Sequence, residues 1–376
     1  MRYSLDSDQE SLHDSVERFA CRPFDARLRQ QESASPEGFS VERWRTMAVM
    51  GWQGAAIAEC YGGLGLGPRE RGIVMEGLGR GLALEPYWSS AVVGAELVAR
   101  VASEEQCREL LPRVADGSVR LAFAAHEPGG RYDWARVACR AERKGDRYRI
   151  DGAKIAVLDA PSADRILLLA RTSGDPSDAA GLSLFWIRRD APGLAMRSFP
   201  ALDGRLCADL MLDGVEVPLA QRLGPEGGIA AGVETALDHA MVAACFEAVG
   251  AMTGALEATV AHLQSRRQFG RPLAEFQVLR HRVADMLVAT EQTRSLAIRA
   301  AGSLGADARA RRRIACAAKV QAGRSGRFVG EAAVQLHGGM GMTDEHCAGH
   351  YLKRLLVTDM TLGDTQHHLA RFVALS

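Results

Sequence analysis

Residues 266–273 read Arg266-Arg267-Gln268-Phe269-Gly270-Arg271-Pro272-Leu273, and they follow a long run of helical spacing. From Leu237, apolar residues fall at Met241, Ala244, Ala248, Met252, Leu256, Val260 and Leu263. Steps of three and four put them on one face of a long helix. Residues 280–301 and 313–336 continue the pattern, so positions 223–376 read as a helical region.

Working outward, residues 1–118 are helix-like too. Positions 6–19, 41–50, 73–84 and 91–101 carry helical apolar spacing. Between them lies Glu59-Cys60-Tyr61-Gly62-Gly63-Leu64-Gly65, a glycine-dense turn that breaks any helix. Residues 119–222 read as strands. Positions 147–152 look like a strand ending at an Asp151-Gly152 turn, and 165–171 and 182–187 are short apolar runs bounded by turn residues. Val215-Glu216-Val217 alternates and stops at Pro218. The helix–strand–helix order implies a small β domain inserted between two helical domains, an α+β fold that is mainly α. On pattern alone an unrelated α+β protein reads equally well.

Composition narrows the class. The chain has 376 residues, enough for two or three domains, and 47% of them are hydrophobic. Lys+Arg and Asp+Glu both number 46, so the balance argues against a nucleic-acid or anionic-membrane partner. The polar N-terminus lacks a signal-peptide core. Unbroken apolar runs such as 166–170 fall far short of the ~20 residues of a membrane helix, so no membrane span is expected. Cys21, Cys60, Cys107, Cys139, Cys207, Cys245, Cys316 and Cys347 form no CxxC pair. That suggests neither a zinc site nor a disulfide framework, and a reducing, cytoplasmic compartment.

Four motifs in order decide between the alternatives. They are E-x-Y-G-G-x-G at 59–65, the strand end at 213–218, R-x-x-F-G at 266–270 with Gln277 following, and Q-x-x-G-G-x-G at 335–341. Together they identify the chain as similar to the acyl-CoA dehydrogenase family. The resemblance implies an N-terminal helical domain at 1–118, a β-barrel-like middle domain at 119–222 and a C-terminal four-helix bundle at 223–376. It also implies FAD, an acyl-CoA substrate, an electron-transfer flavoprotein or similar acceptor, and a homo-oligomer or a heterotetramer with a second such subunit. It assigns Arg266, Gln268, Phe269, Gln277, Gln335, Gly338, Gly339 and Thr365 to the cofactor, with the adenosine diphosphate part held across a subunit interface. The chemistry is reasonable. Arg266 offers paired donors to a pyrophosphate. Gly338 and Gly339 let backbone approach phosphate or ribose. Phe269 supplies an aromatic surface. Outside the family context these residues read as a solvated arginine and a helix C-cap.

Two segments depart from the family. Its T-E-P-x-x-G-S-D is here His126-Glu127-Pro128-Gly129-Gly130-Arg131-Tyr132-Asp133, and its K-x-W-I-T is Lys154-Ile155-Ala156-Val157-Leu158. The side chains that would hold the flavin ring within the same subunit are changed, while those reaching across the interface are kept. Such a pattern fits a subunit that completes a partner's flavin site, and the segments at 122–134, 151–174 and 361–372 resemble the small subunits of heteromeric, pimeloyl-CoA dehydrogenase-like enzymes. Drift in a homomer that holds FAD through its backbone is the alternative.

The family reaction takes a proton from the acyl-CoA α carbon and passes a hydride from the β carbon to the flavin, giving a trans-2-enoyl-CoA. A carboxylate must reach that proton. The usual glutamate falls on Gly363, beside Asp364; a second family location falls on Ala240. Glu247, almost two turns along that helix, interrupts an apolar stretch and is either a functional acid or a paired core charge. Glu247 and Asp364 are thus the candidate bases. If neither serves, the chain is a scaffold that completes a partner's FAD site. His367 and His368 read as flavin or phosphate contacts or as surface residues.

Overall fold

The computed structural model describes residues 5–20, 22–178 and 180–375. Six helices come first: α1 (Ser7–Ala20), α2 (Ala26–Ser33), α3 (Val41–Val49), α4 (Pro68–Arg80), α5 (Ala95–Val101) and α6 (Glu104–Ala115). Strands follow: β1 (Leu121–Ala124), β2 (Arg140–Lys144), β3 (Arg147–Leu158), β4 (Arg165–Arg171), β5 (Leu182–Arg188), β6 (Leu194–Pro200), β7 (Leu206–Pro218) and β8 (Arg222–Leu223). The rest is α7 (Ala230–Ser265), the short hairpin β9 (Arg267–Gln268) and β10 (Arg271–Pro272), α8 (Gln277–Gly302), α9 (Ala308–His337), α10 (Cys347–Met360) and α11 (Thr365–Ala374). Helices, then a sheet, then helices is the order expected from the sequence. Helix starts are chemically marked. Ser103 and Gln106 form a reciprocal capping box on α6, and Asp307 caps α9 through the amides of Arg309 and Ala310.

Two compact units result. One comprises Met1–Gln31, Pro68–Ala83 and Met241–Ser376. There α7 packs against α4, α8, α9 and α10, and α11 packs on α9. Helices α4 and α7 cross at backbone contact. A Cβ on Gly79 would lie 2.1 Å from the Glu247 carbonyl, and one on Gly250 would lie 1.8 Å from the Glu76 carbonyl. Only glycine admits that approach.

The other unit comprises Glu32–Gly67 and Leu84–Ala240. Its sheet runs β6-β7-β3-β2-β4-β5-β8, with β1 parallel to β4. Strand β3 does not end at Asp151-Gly152. It continues to Leu158, and the Asp-Gly pair marks a register shift against β7. A second shift between Lys154 and Val157 leaves Ala156 at φ +50°, its N–H donating to Asp209 Oδ1 at 3.0 Å. The helix expected over 91–101 likewise differs: Trp88–Gly94 is π-helical and runs into α5.

By length and composition α7 could cross a bilayer, with a mean hydropathy of 1.3, but 89% of that window is buried in the protein. Its apolar surface is used in packing. A search for unbroken apolar runs overlooks it because Glu234, Asp238 and Glu247 break the run. Cys21 lies outside the described residues; the other seven cysteines are free thiols.

Candidate active site

In the helical unit, the segments assigned to the cofactor lie at helix ends. Helix α7 stops at Ser265, and the Arg266 N–H still reaches the His262 carbonyl at 2.8 Å. The chain then turns back as β9 and β10, with Phe269 at φ +51° and Gly270 at φ +82° making the turn. Phe269 is 88% exposed, an uncommon state for so large an apolar side chain. Arg271 lies 4.1 Å over the Phe276 ring.

Helix α9 ends at His337. Gly338 takes φ +63° and its N–H returns to the Gln335 carbonyl, so the residue is a helix C-cap. It is also open. Cβ atoms built on Gly338 and Gly339 would meet nothing within 4 Å. Gly341 instead folds back on α9, where a Cβ would sit 2.7 Å from the Val334 carbonyl. Arg266, Gln268, Phe269, Gln277, Gln335, Gly338 and Gly339 are all exposed. The two segments meet through His262 and His337, whose rings stack at 4.5 Å. An exposed guanidinium beside an open glycine pair fits the diphosphate part of FAD, whose charge and close backbone approach it would meet.

The sheet unit explains why some motif letters persist. Lys154, fully buried, donates to Glu127 Oε1 at 2.7 Å and to the Ala125 carbonyl at 3.1 Å. Glu127 accepts in turn from the amides of Ala138 at 2.7 Å and Cys139 at 3.1 Å. Burial pulls the Lys154 ammonium below its usual range, and Glu127 partly restores it. Both residues therefore have structural work in the loop that leads from β1 to β2. Where the family has an aromatic and a hydroxyl, exposed Ala156 and half-buried Leu158 offer no polar side chain to a flavin ring. This half does not fit the ring as the other half fits the diphosphate.

Neither candidate base has a free carboxylate. Glu247 is 6% exposed and accepts from Arg354 Nη1 at 2.9 Å and from Thr358 Oγ1 at 3.4 Å. Arg354, itself 1% exposed, also donates to the Ala83 carbonyl at 2.8 Å. Asp364 is the N-cap of α11, accepting from the His367 amide at 2.8 Å. Thr365 donates its hydroxyl to Asp359 Oδ1 at 2.8 Å. Gly363 has φ +118°, and a Cβ there would lie 2.6 Å from His367 Cδ2 and 2.7 Å from His368 Nε2. Its turn is pinned from beneath by Lys319, which donates to the carbonyls of Thr358, Asp359 and Gly363 at 2.8, 2.6 and 2.9 Å. Burial draws the Lys319 pKa down to about 8. His368 is fully buried, and burial, then Lys319, pushes its pKa down to about 3.

Ala240 is buried in the sheet unit, its carbonyl accepting from Trp88 Nε1 at 3.1 Å. Next to it stands a cluster that sequence reading passes over: His239 Nδ1 lies 3.1 Å from Glu96 Oε1, and its Nε2 lies 3.0 Å from Arg100. Arg354, Lys319 and His239 sit on helices as ordinary polar letters. A charged residue on an otherwise apolar helix face is the signal that marks the first two.

Family models for the N-terminal, middle and C-terminal domains of acyl-CoA dehydrogenase match residues 6–118, 122–215 and 227–374. The cyclohex-1-ene-1-carbonyl-CoA dehydrogenase of Syntrophus aciditrophicus (strain SB) is 30% identical over 368 residues, covering 96% of this chain and 88% of its own. A steroid ACAD structure, Tcur3481–Tcur3483, superposes with a TM-score of 0.88 at 30% identity, covering 99% and 98%. The ChsE4–ChsE5 complex from Mycobacterium tuberculosis does so with 0.87 at 25% identity, covering 100% and 98%.

Proposed function

Because this chain belongs to the acyl-CoA dehydrogenase family, we propose that it is the flavin-completing subunit of a heterotetramer with a second acyl-CoA dehydrogenase subunit. The family makes it an oxidoreductase acting on acyl-CoA, with FAD as cofactor. The assembly converts an acyl-CoA thioester to the trans-2-enoyl-CoA and passes electrons to an electron-transfer flavoprotein or similar acceptor. When bound, FAD supplies the two-electron acceptor. Arg266, Gln268, Phe269, Gln277, Gln335, Gly338 and Gly339 hold its adenosine diphosphate part, and Thr365 supports the turn nearby. The working division of the chain is 1–118, 119–222 and 223–376, with the flavin-completing groups in the last. Seven free thiols support a reducing, cytoplasmic setting.

One observation carries this reading: the diphosphate edge is open, whereas the position of the family's glutamate is closed by two imidazoles. Glu247 then serves as a core charge and Asp364 as a helix cap, and the proton is taken by a carboxylate of the partner. The resemblance to a two-component neighbour, ChsE4–ChsE5, supports a heteromer. The test is Arg266→Ala in the co-purified assembly. Flavin content falls while the native mass stays that of the tetramer, and Glu247→Gln in assemblies that remain folded keeps turnover of a reactive acyl-CoA. Loss of turnover in folded Glu247→Gln assemblies overturns the reading.

A further inference from the structure

Three imidazoles from three elements meet, tilted or edge-on to one another, beside the Gly338–Met342 turn. His262 comes from the last turn of α7, His337 from the end of α9 and His346 from the N-cap of α10. His337 lies between the others, with ring centroids 4.5 Å from His262 and 4.4 Å from His346; the outer two are 6.4 Å apart. His337 is 5% exposed. Its Nδ1 lies 2.7 Å from the Ala333 carbonyl, which can only accept, so Nδ1 carries the proton. Nε2 is then a lone pair, buried and without a partner. His346 Nδ1 accepts from the Ala348 amide at 3.2 Å, fixing that ring as well.

We propose that the packed rings of His262, His337 and His346 form a clasp that positions the Gly338–Met342 turn, and that the turn loosens when His262 or His346 takes up a proton. These are positioning residues, and their bearing on FAD rests on the assignment of Gly338 and Gly339 to its diphosphate. The turn is tied to the clasp directly: a Cβ on Gly341 would sit 3.1 Å from His337 Cβ.

The surroundings give a proton no favourable place. On α7, Arg266 adds positive charge near His262; from α9 and α10 the facing groups are His337, His346 and the Cys347 thiol, 4.0 Å from His346 Nδ1. Among the described residues no carboxylate pairs with any of the three, and no group of three or more His, Cys, Asp or Glu has the geometry to hold a metal ion. Burial first, then the neighbouring imidazoles, holds His262 and His346 below the usual histidine range. The native arrangement therefore binds fewer protons than the loosened one. It is fully favoured above the ordinary histidine pKa of about 6.5 and loses ground as pH falls below it.

The experiment uses the full chain. Deuterium exchange of the peptide spanning 336–343, corrected for intrinsic chemical exchange, is followed from pH 8 to pH 5.5. Protection is expected to fall by up to about tenfold for each histidine that the loosened form protonates between pH 6.5 and pH 5.5. His262→Gln combined with His346→Asn, which keeps a capping oxygen, should retain protection at pH 8 and lose the pH step. Because His262 is only half-buried, His262→Gln alone is the second variant if the double change does not fold. A flat profile in the unaltered chain, or an unchanged step in the variants, overturns the clasp. ADP binding to the assembled enzyme is measured in parallel at both pH values. No binding at either pH sinks the diphosphate assignment and leaves the clasp to the exchange data.

Discussion

Gly338 and Gly363 both take positive φ, both follow or precede a helix end, and both belong to the same helical unit. Their surroundings are opposite. Around Gly338 a Cβ would find nothing within 4 Å; at Gly363 it would meet two imidazole atoms within 2.7 Å. The first turn is built to be approached from outside. The second has no room for a side chain, and Lys319 holds its carbonyl from below. In one fold, the Gly338 turn is open and the Gly363 turn is filled. The two can be separated because different helix ends carry them: α9 for the first and the α10–α11 turn for the second.

The largest expected effect lies at Glu247. Glu247→Gln leaves the Arg354 guanidinium buried beside a neutral amide, and removing one partner of a buried pair costs about 3–5 kcal/mol. Replacing both, Glu247→Met with Arg354→Met, should recover much of that loss in urea unfolding. If Glu247→Gln instead left stability unchanged and stopped turnover, the carboxylate would belong to the chemistry.

Gly363→Glu tests the closed turn directly. Positive φ and contact with two rings should cost about 3 kcal/mol, seen as a lowered melting temperature. A variant as stable as the parent would mean that His367 and His368 yield easily and the position is not closed.

His368 adds a pH dependence to the same turn. Its pKa of about 3 in the folded chain lies below the unfolded value of about 6.5, so its stabilising contribution is complete above pH 6.5 and is lost as pH falls. Between pH 6.5 and pH 5 the loss is up to about 2 kcal/mol. His368→Gln should flatten that part of the profile in denaturant melts. The smallest effect belongs to the open turn: Gly338→Ala should cost only about 1 kcal/mol of stability, through the strain of its backbone conformation, while lowering flavin content of the assembly.

Much of this was legible in the letters. Steps of three and four located α7, α8 and α9, and the glycine pairs Gly62-Gly63 and Gly338-Gly339 marked helix ends. The motifs marked Arg266 and Gly338, each a short-range feature, as the proposed cofactor edge. What escaped the sequence depends on distant pairing. Glu247 meets Arg354 after 107 residues, and no local pattern links them. The histidine clasp draws on positions 262, 337 and 346. Asp151-Gly152 read as a turn because such pairs usually are one; sheet pairing with β7 overrode it and made a bulge. Glu127 and Lys154 stood in flavin motifs, and the structure shows their charges spent on each other.

A chain that completes a flavin site without owning one carries flavin only in the company of its partner subunit. Native mass spectrometry with flavin absorbance, on the chain alone and on the chain co-purified with its partner subunit, tests it most directly. The expected result is a colourless chain that stays colourless with excess FAD, and an assembly with one FAD for each pair of unlike chains. One tightly held FAD in every copy of this chain purified by itself would contradict it.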